Sequence, residues 1–252
     1  MPATLFPDID RLSAARRPDR SAAGYQQWLD LTFLHWRLPP EVLAPLLPPE
    51  LTIDTWEGDA WLGIVPFRMR NVRPWWCCSV PGVSHFEETN LRTYVHFKGR
   101  EPGVWFFSLD AARRLAVFLA RVGWHLPYHF ARMEIKKSDN EIHYLSFRQQ
   151  AGSPPAHVHV QIELSEQTPQ PAAPGSLESF LVDRYLLYSH ARNGAIFQGQ
   201  VFHQPYRITP VTVTHLKQSL TTAVGIAVPD TCDHAVYCPG VDVEVFGLQK
   251  VV

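Results

Sequence analysis

Alternation of side-chain character with a period of two is the feature that most constrains the fold of this chain, because only an extended strand places successive side chains on opposite sides. The pattern recurs in WLDLTFLHW (28–36), AWLGIVPFRMR (60–70) and AHVHVQIEL (156–164). It also fills both halves of 131–147, where the Ser-Asp-Asn triplet at 138–140 predicts the turn of a hairpin. The chain is therefore predicted to form a large, curled, antiparallel or mixed sheet.

Helical patterns are fewer than strand patterns. One helix is predicted from Ala111 to about Arg121, with Asp110 as its N-cap. Another is predicted to begin after Ser176, with an apolar face that reaches Tyr188. Strands and helices do not alternate and no GxGxxG string occurs, which disfavours a dinucleotide-binding fold. The predicted fold class is α+β and β-rich.

The length of 252 residues and the hydrophobic content of 46% fit one domain with a sizeable core. Residues 1–20 are predicted to be a flexible arm, because their basic residues are interspersed with Asp8, Asp10 and Asp19. The remainder, 21–252, is then a single domain.

Charge and apolar runs limit the classes of partner and compartment. A net charge of −1 does not favour nucleic acid, and no apolar run approaches the roughly 20 residues that cross a bilayer, so neither nucleic acid nor a membrane is an expected partner. The first residues lack a signal-peptide pattern, and the four cysteines contain no CxxC pair. We expect a cytoplasmic protein with reduced thiols, and a homo-oligomer stays open.

HFEETNLRTYVHFKG (85–99) is the stretch that says most about function. Read as a strand, one of its faces has an ordinary core composition of threonine, leucine, valine and phenylalanine. The opposite face carries five different hydrogen-bonding side chains, which are Glu88, Asn90, Arg92, Tyr94 and His96. This polar row either faces solvent, as in many antiparallel sheets, or lines a cavity that fixes a small polar ligand. In a cavity, Arg92 is expected to be buried with Glu88 as its candidate ion-pair partner.

The strand that follows, VWFFSLDA (104–111), comes after a turn at 98–103 and is predicted to pair with the polar row as a hairpin. This pairing would bring Ser108 or Asp110 toward the row, and Trp105 is a candidate aromatic contact for a ligand. His157 and His159 alternate on one strand face, but no third metal ligand accompanies them. Neither a metal nor a cofactor is predicted.

Seven segments together resemble the YqjF-like family of the acetoacetate decarboxylase-like superfamily. They are HWRLPPEVLAPLLPPELTID (35–54), GDAWLGIVPFRMR (58–70), EETNLRTYV (87–95), PGVWFFSLDA (102–111), LPYHFARM (126–133), SLESFLVDRYLLY (176–188) and VFHQPYRI (201–208). The resemblance implies a curled, cone-like antiparallel β-barrel with a few outer helices and an internal pocket.

The same resemblance implies what chemistry this chain lacks. In acetoacetate decarboxylases a lysine after a Phe-Pro pair forms an imine with a β-keto acid. The matching positions here read Leu126-Pro127-Tyr128-His129, without a lysine. Residues 21–36 also lack the arginine that the decarboxylases carry on the first strand, whereas Glu88 corresponds to a glutamate of that family.

Two classes of function therefore stay open for a small-molecule ligand such as a carboxylate. In an enzyme acting on small oxo or carboxylate compounds without an imine, Glu88 would be the acid or base and Arg92 would bind the anion. Tyr94, Tyr128 or His129 would relay protons. In a non-catalytic metabolite-binding protein, the same residues, together with Asn90, His96, Ser108 and Trp105, would contact the ligand. An imine-forming decarboxylase is not expected.

Overall fold

The computed structural model describes residues 9–11 and 13–251, and within them thirteen strands and three α-helices form. The strands are β1 (Gly24–Leu38), β2 (Leu51–Ile53), β3 (Ala60–Pro74), β4 (Phe86–Phe97), β5 (Arg100–Ala111), β6 (Tyr128–Lys137), β7 (Glu141–Arg148), β8 (His157–Leu164), β9 (Gln170–Pro171), β10 (Leu186–His190), β11 (Ile196–Phe202), β12 (Arg207–Gln218) and β13 (His234–Lys250). The helices are α1 (Pro40–Leu43), α2 (Arg114–Gly123) and α3 (Leu177–Val182).

All thirteen strands belong to one sheet that closes on itself. Their order is β2-β4-β3-β1-β13-β11-β10-β5-β6-β7-β8-β12-β9, with additional pairings of β4 with β5 and of β13 with β12. The β4–β5 pairing closes seven strands into a ring: β4, β3, β1, β13, β11, β10 and β5. Most neighbours are antiparallel, but β5 runs parallel to both β10 and β6. The prediction of a curled, β-rich fold is confirmed.

The polar row predicted from the sequence lies on β4, between two apolar regions. Leu91 packs with Trp36, Leu62 and Tyr144 in a core between the ring and the β6–β8 sheet. On the other side, Phe33 and Phe106 belong to the apolar wall inside the ring. Both faces of β4 are therefore covered, and the row does not face open solvent.

Two helix predictions needed correction. Asp110 does not cap a helix, because β5 continues through it and its carboxylate pairs with Arg148; the helix begins only at Arg114. The helix after Ser176 forms and is capped by that serine, but it ends at Val182, so Tyr188 lies on β10 instead. The predicted hairpin in 131–147 forms as β6 and β7.

The N-terminal segment contacts the domain where the structure describes it. Arg11 forms an ion pair with Asp54, and the Arg17 guanidinium pairs with Glu244 at 2.7 Å. Residues 1–8 of the predicted arm lie outside the described residues, so the boundary at residue 20 stays a prediction. Among the described helices, none has the length and apolar character needed to span a membrane.

Candidate functional site

A cavity of about 410 Å³ lies inside the seven-stranded ring. Its wall is mainly aromatic and aliphatic, with Phe33, Phe67, Phe106 and Trp124 among the larger side chains. The buried polar side chains on its inner wall are few, and they include Glu88, Asn90, Arg92, Tyr128, Arg184 and Tyr206. An apolar chamber with a few polar groups that converge is the usual form of a small-molecule site.

Glu88 and Tyr128 form a hydrogen-bonded pair in this cavity. The Tyr128 hydroxyl donates to Glu88 Oε2 at 2.9 Å, and Glu88 is only 2% exposed. Burial raises the pKa of Glu88 to about 8, against the opposing effect of the Tyr128 hydrogen bond and with a further contribution from Asp110. Burial likewise holds the pKa of Tyr128 well above its usual value. Glu88 is therefore an acid that titrates close to neutral pH, as a general acid or base requires.

Arg92 is a buried cation beside the same cavity. Its guanidinium donates to the Leu181 carbonyl at 3.1 Å and lies over the Phe33 ring, while its Nε has no hydrogen-bond partner among the described residues. The predicted ion pair with Glu88 is wrong: Glu88 accepts from the Tyr128 hydroxyl instead, and the Cα atoms of residues four apart on a strand are about 13 Å apart. Within residues 9–11 and 13–251, no carboxylate pairs with Arg92. A buried guanidinium of this kind is suited to bind an anion.

Asn90 lies between Glu88 and Arg92 on the same face of β4. Its Oδ1 is buried without a hydrogen-bond partner in the part of the chain that the structure describes. Buried polar atoms are rarely left unpaired in folded proteins, so an unpaired amide in a cavity wall is a candidate ligand contact. The three side chains present an acid, an amide and a cation in order along one strand.

Arg184 is a cavity residue that sequence reasoning missed. Its Nη1 donates to Asp54 at 2.7 Å, and its buried Nη2 has no partner among the described residues. Asp54 also pairs with Arg11, and although burial opposes this, the two guanidiniums hold the pKa of Asp54 below its usual range. In the sequence, Asp183 stands next to Arg184, and such a pair of opposite charges suggests two solvated side chains. The feature that could have indicated a buried arginine is its position inside an otherwise apolar run.

Two predicted residues continue the polar row beyond the cavity. The Tyr94 hydroxyl donates to the Leu181 carbonyl at 2.7 Å and also contacts His35 Nε2 at 2.7 Å. His96 is buried near the end of β4, where its Nδ1 accepts from the Gly99 amide. Neither side chain lines the cavity. The Tyr94 hydroxyl instead accepts a long hydrogen bond from Arg92 Nη2, at 3.4 Å.

Three other predicted ligand contacts lie elsewhere. Ser108 accepts a hydrogen bond from Arg148, on the face of β5 that points away from the cavity. His129 follows Tyr128 on β6 and therefore points to the other side, where it contacts Ser153 at 2.9 Å. Burial lowers the pKa of His129 to about 4. Trp105 packs in a separate small core with Val95 and Tyr188.

Neither an amine nucleophile nor a metal-ligand cluster accompanies these residues. All five lysines lie in described parts of the chain, and none of them lines the cavity. His159 packs against His215, with ring centroids 4.2 Å apart. Across the described ranges, no three His, Cys, Asp or Glu side chains come together as metal ligands.

Gly63 is opposite Arg92 on the neighbouring strand, and we expect Gly63→Ala to destabilise this region. A Cβ at this position would lie 3.0 Å from His35 Cδ2 and 3.6 Å from Arg92 Cγ. His35 is fully buried and hydrogen-bonded to Tyr94, so it has little freedom to move. Overpacking of this kind costs about 1–3 kcal/mol in unfolding free energy, measurable by chemical denaturation. Gly247→Ala is the matched control, since its Cβ would meet nothing within 4 Å; equal losses in both variants would contradict the prediction.

Comparison with known proteins gives a family for the sequence. The DUF2071 family, described as an uncharacterized conserved protein, matches residues 25–242. The uncharacterized protein YqjF of Bacillus subtilis (strain 168) is 36% identical over 233 residues, which cover 92% of this chain and 94% of that protein.

Comparison with solved structures gives the same fold at low sequence identity. The enduracididine biosynthesis enzyme MppR complexed with pyruvate has a TM-score of 0.64 and 13% identity, with coverage of 94% of this chain and 93% of that one. The acetoacetate decarboxylase of Legionella pneumophila has a TM-score of 0.61 and 12% identity, with coverage of 99% and 97%. At such identities the likeness concerns the fold alone.

Proposed function

Because the chain belongs to the DUF2071 family and has an acetoacetate decarboxylase-like fold, we propose that it is an enzyme that moves protons at the carbon next to the carbonyl of a small oxo acid, without forming an imine. Arg92 binds the carboxylate of this substrate, and Asn90, which lies between Arg92 and Glu88, is a further contact for it. Glu88, held by Tyr128, exchanges the proton.

One observation carries this proposal: a glutamic acid with a pKa of about 8 occupies the same cavity as a buried cation that has no carboxylate partner among the described residues. A base is most effective when its pKa lies near the working pH. The cation is free to bind the charged end of the substrate, because no carboxylate among the described residues pairs with it.

The proton steps balance within the cavity. The carboxylate form of Glu88 takes a proton from the carbon next to the carbonyl. The electron pair of that C–H bond forms a C=C bond, and the π electrons of the carbonyl move to its oxygen, which gives an enolate. The Arg92 charge stabilises this oxygen. The acid form of Glu88 then returns its proton to carbon or to oxygen, and Tyr128 keeps Oε2 occupied so that Oε1 faces the substrate.

A metabolite-binding protein is the second candidate, and the composition of the cavity wall favours it. Apolar side chains surround the polar row, and no lysine reaches the cavity. Such a wall suits an oxo acid with an aliphatic or aromatic body. Pyruvate is bound in the MppR structure, which supports an oxo acid as a ligand class here. The cytoplasmic location and a homo-oligomeric state stay predictions from the sequence.

The experiment measures binding and proton exchange separately. Pyruvate and phenylpyruvate are titrated calorimetrically, and exchange of their C3 protons with D₂O is followed by NMR for the wild type, Glu88→Gln and the exposed control Glu166→Gln. We expect catalysed exchange in the wild type and the control but not in Glu88→Gln. Borohydride added with pyruvate should leave the intact mass unchanged, because no lysine lines the cavity.

Each other outcome has a defined meaning. Binding without exchange would overturn the enzyme and support the binding protein. Absence of binding by either acid would overturn both candidates. A stoichiometric adduct on one lysine would overturn the imine-free mechanism.

A further inference from the structure

Two exposed apolar segments border the opening of the cavity. Residues 75–83 carry Trp75 and Trp76, which are 65% and 71% exposed, together with Val80 and Val83. Across the opening, the outer face of α2 carries Leu115, Phe118, Leu119 and Val122, with Phe118 61% exposed. Val80, Val83 and Leu119 also line the cavity, so both segments border the same opening. We call these eight side chains the rim patch. Exposed apolar patches of this kind usually mark an interaction surface.

The charges beside the rim patch have one sign. Arg114 and Arg121 lie on α2, Arg113 directly precedes it, and Arg73 lies just before residues 75–83; the three arginines at 113, 114 and 121 are exposed. No aspartate or glutamate occurs in 71–86 or in 111–133. The next acid along the chain, Glu87, is already paired with Arg70 at 3.2 Å. The surface therefore combines aromatic and aliphatic side chains with arginines that form no ion pair in the part of the chain that the structure describes.

We propose that the rim patch docks on an anionic lipid surface, with α2 lying in the plane of the interface and the opening of the cavity facing the membrane. A helix with an apolar face flanked by arginines inserts that face into the headgroup region, and tryptophan is favoured at the same depth. The arginines then meet the negative surface potential. This contact is peripheral and differs from the membrane span that the sequence argues against. The docking proposal rests on the rim patch and its arginines alone, so it does not depend on the proposed function.

Charge decides between a lipid surface and a second copy of this chain. A two-fold contact between two rim patches would place arginines of one copy against arginines of the other, and these segments supply no carboxylate to pair with them. Like charges opposed in an interface are unfavourable. An anionic lipid surface, in contrast, offers a negative charge to each of these arginines, which favours it over a second copy of the chain.

The test is sedimentation of the full chain with vesicles of phosphatidylcholine, with and without phosphatidylglycerol. We expect binding that requires phosphatidylglycerol and weakens with salt. Trp76→Ser and Phe118→Ser should each lower the partition coefficient by about tenfold or more, since each removes a side chain that would be buried in the interface. Leu46→Ser is the matched control, because Leu46 is 42% exposed but precedes β2, which pairs with the far end of β4.

A second pair of variants tests the charges. Arg113→Gln with Arg121→Gln should lower binding by about tenfold. Lys98→Gln with Arg100→Gln removes the same charge from exposed positions at the β4–β5 turn, at the opposite end of β4 from Phe86, and should leave binding unchanged. The proposal is overturned if the wild type binds no vesicle, or if the rim variants bind as well as the Leu46 control. Loss of a dimer in Phe118→Ser, without vesicle binding by the wild type, would instead assign the patch to a second copy.

Discussion

Arg92→Gln is expected to weaken the binding of a small oxo acid by about a hundredfold or more. The Arg92 side chain is 8% exposed and has no carboxylate partner among the described residues, so a bound carboxylate would be the counterion of its guanidinium. Each hydrogen bond to a charged group contributes about 1.5–3 kcal/mol, and guanidinium and carboxylate often form two. Calorimetric titration of pyruvate and phenylpyruvate measures the loss.

The matched control for Arg92 is Arg100→Gln, because Arg100 is exposed beside the β4–β5 turn. This variant should bind as the wild type does. The unfolding free energy of Arg92→Gln should change far less than its affinity, since its removal leaves no buried carboxylate unpaired. Equal affinities of the two variants would remove Arg92 from the site.

Glu88→Gln is expected to stabilise the protein at alkaline pH and to flatten its pH dependence. The pKa of Glu88 is about 8 in the folded protein and 4.5 as the ordinary value. Between these values the folded chain holds a proton that the unfolded chain releases, so stability falls as pH rises, by about 1.4 kcal/mol per unit. Above pH 8 the loss is complete, and below pH 4.5 it is absent. Glutamine, which is neutral at every pH, avoids this loss.

Thermal melts from pH 5 to pH 9 measure this effect. We expect similar Tm values for the wild type and Glu88→Gln at pH 5, and a Tm of the variant higher by roughly 10 °C at pH 8.5. Glu166→Gln, at an exposed position, should follow the wild type throughout. Parallel curves for the wild type and Glu88→Gln would mean that Glu88 ionises normally in the folded state.

The part of the site that could be predicted from the sequence is the part that strand geometry fixes. Alternation along β4 places Glu88, Asn90 and Arg92 on one face of the strand, and of the two surroundings that the sequence leaves open for this face, solvent or a cavity, the structure has the cavity. The same alternation could not show where the cavity ends. Tyr94 shares that face, but α3 covers it, and its hydroxyl is bonded to a carbonyl of that helix.

Other errors have equally local causes. The pairing of β4 with β5 shifts register between Leu91 and Arg92, which leaves Ser108 opposite Leu91 and away from the cavity. No residue type in that stretch signals a bulge. Tyr128 and His129 are adjacent on β6, so only one of them can face the cavity. Arg184 comes from a distant part of the chain, and its position depends on tertiary packing that no local pattern encodes.

Asp54 links the N-terminal segment to the cavity wall, because Arg11 and Arg184 share its single carboxylate. Two cations and one anion leave this cluster with a net charge of +1 next to a cavity that also holds Arg92. Without Arg11, which precedes the 25–242 family match, Asp54 would neutralise Arg184 alone and the cluster would be uncharged. Residues that never touch a ligand would thus set the electrostatic potential that an incoming anion meets. Homologues that differ only upstream of the shared domain would differ in anion affinity while keeping identical cavity walls.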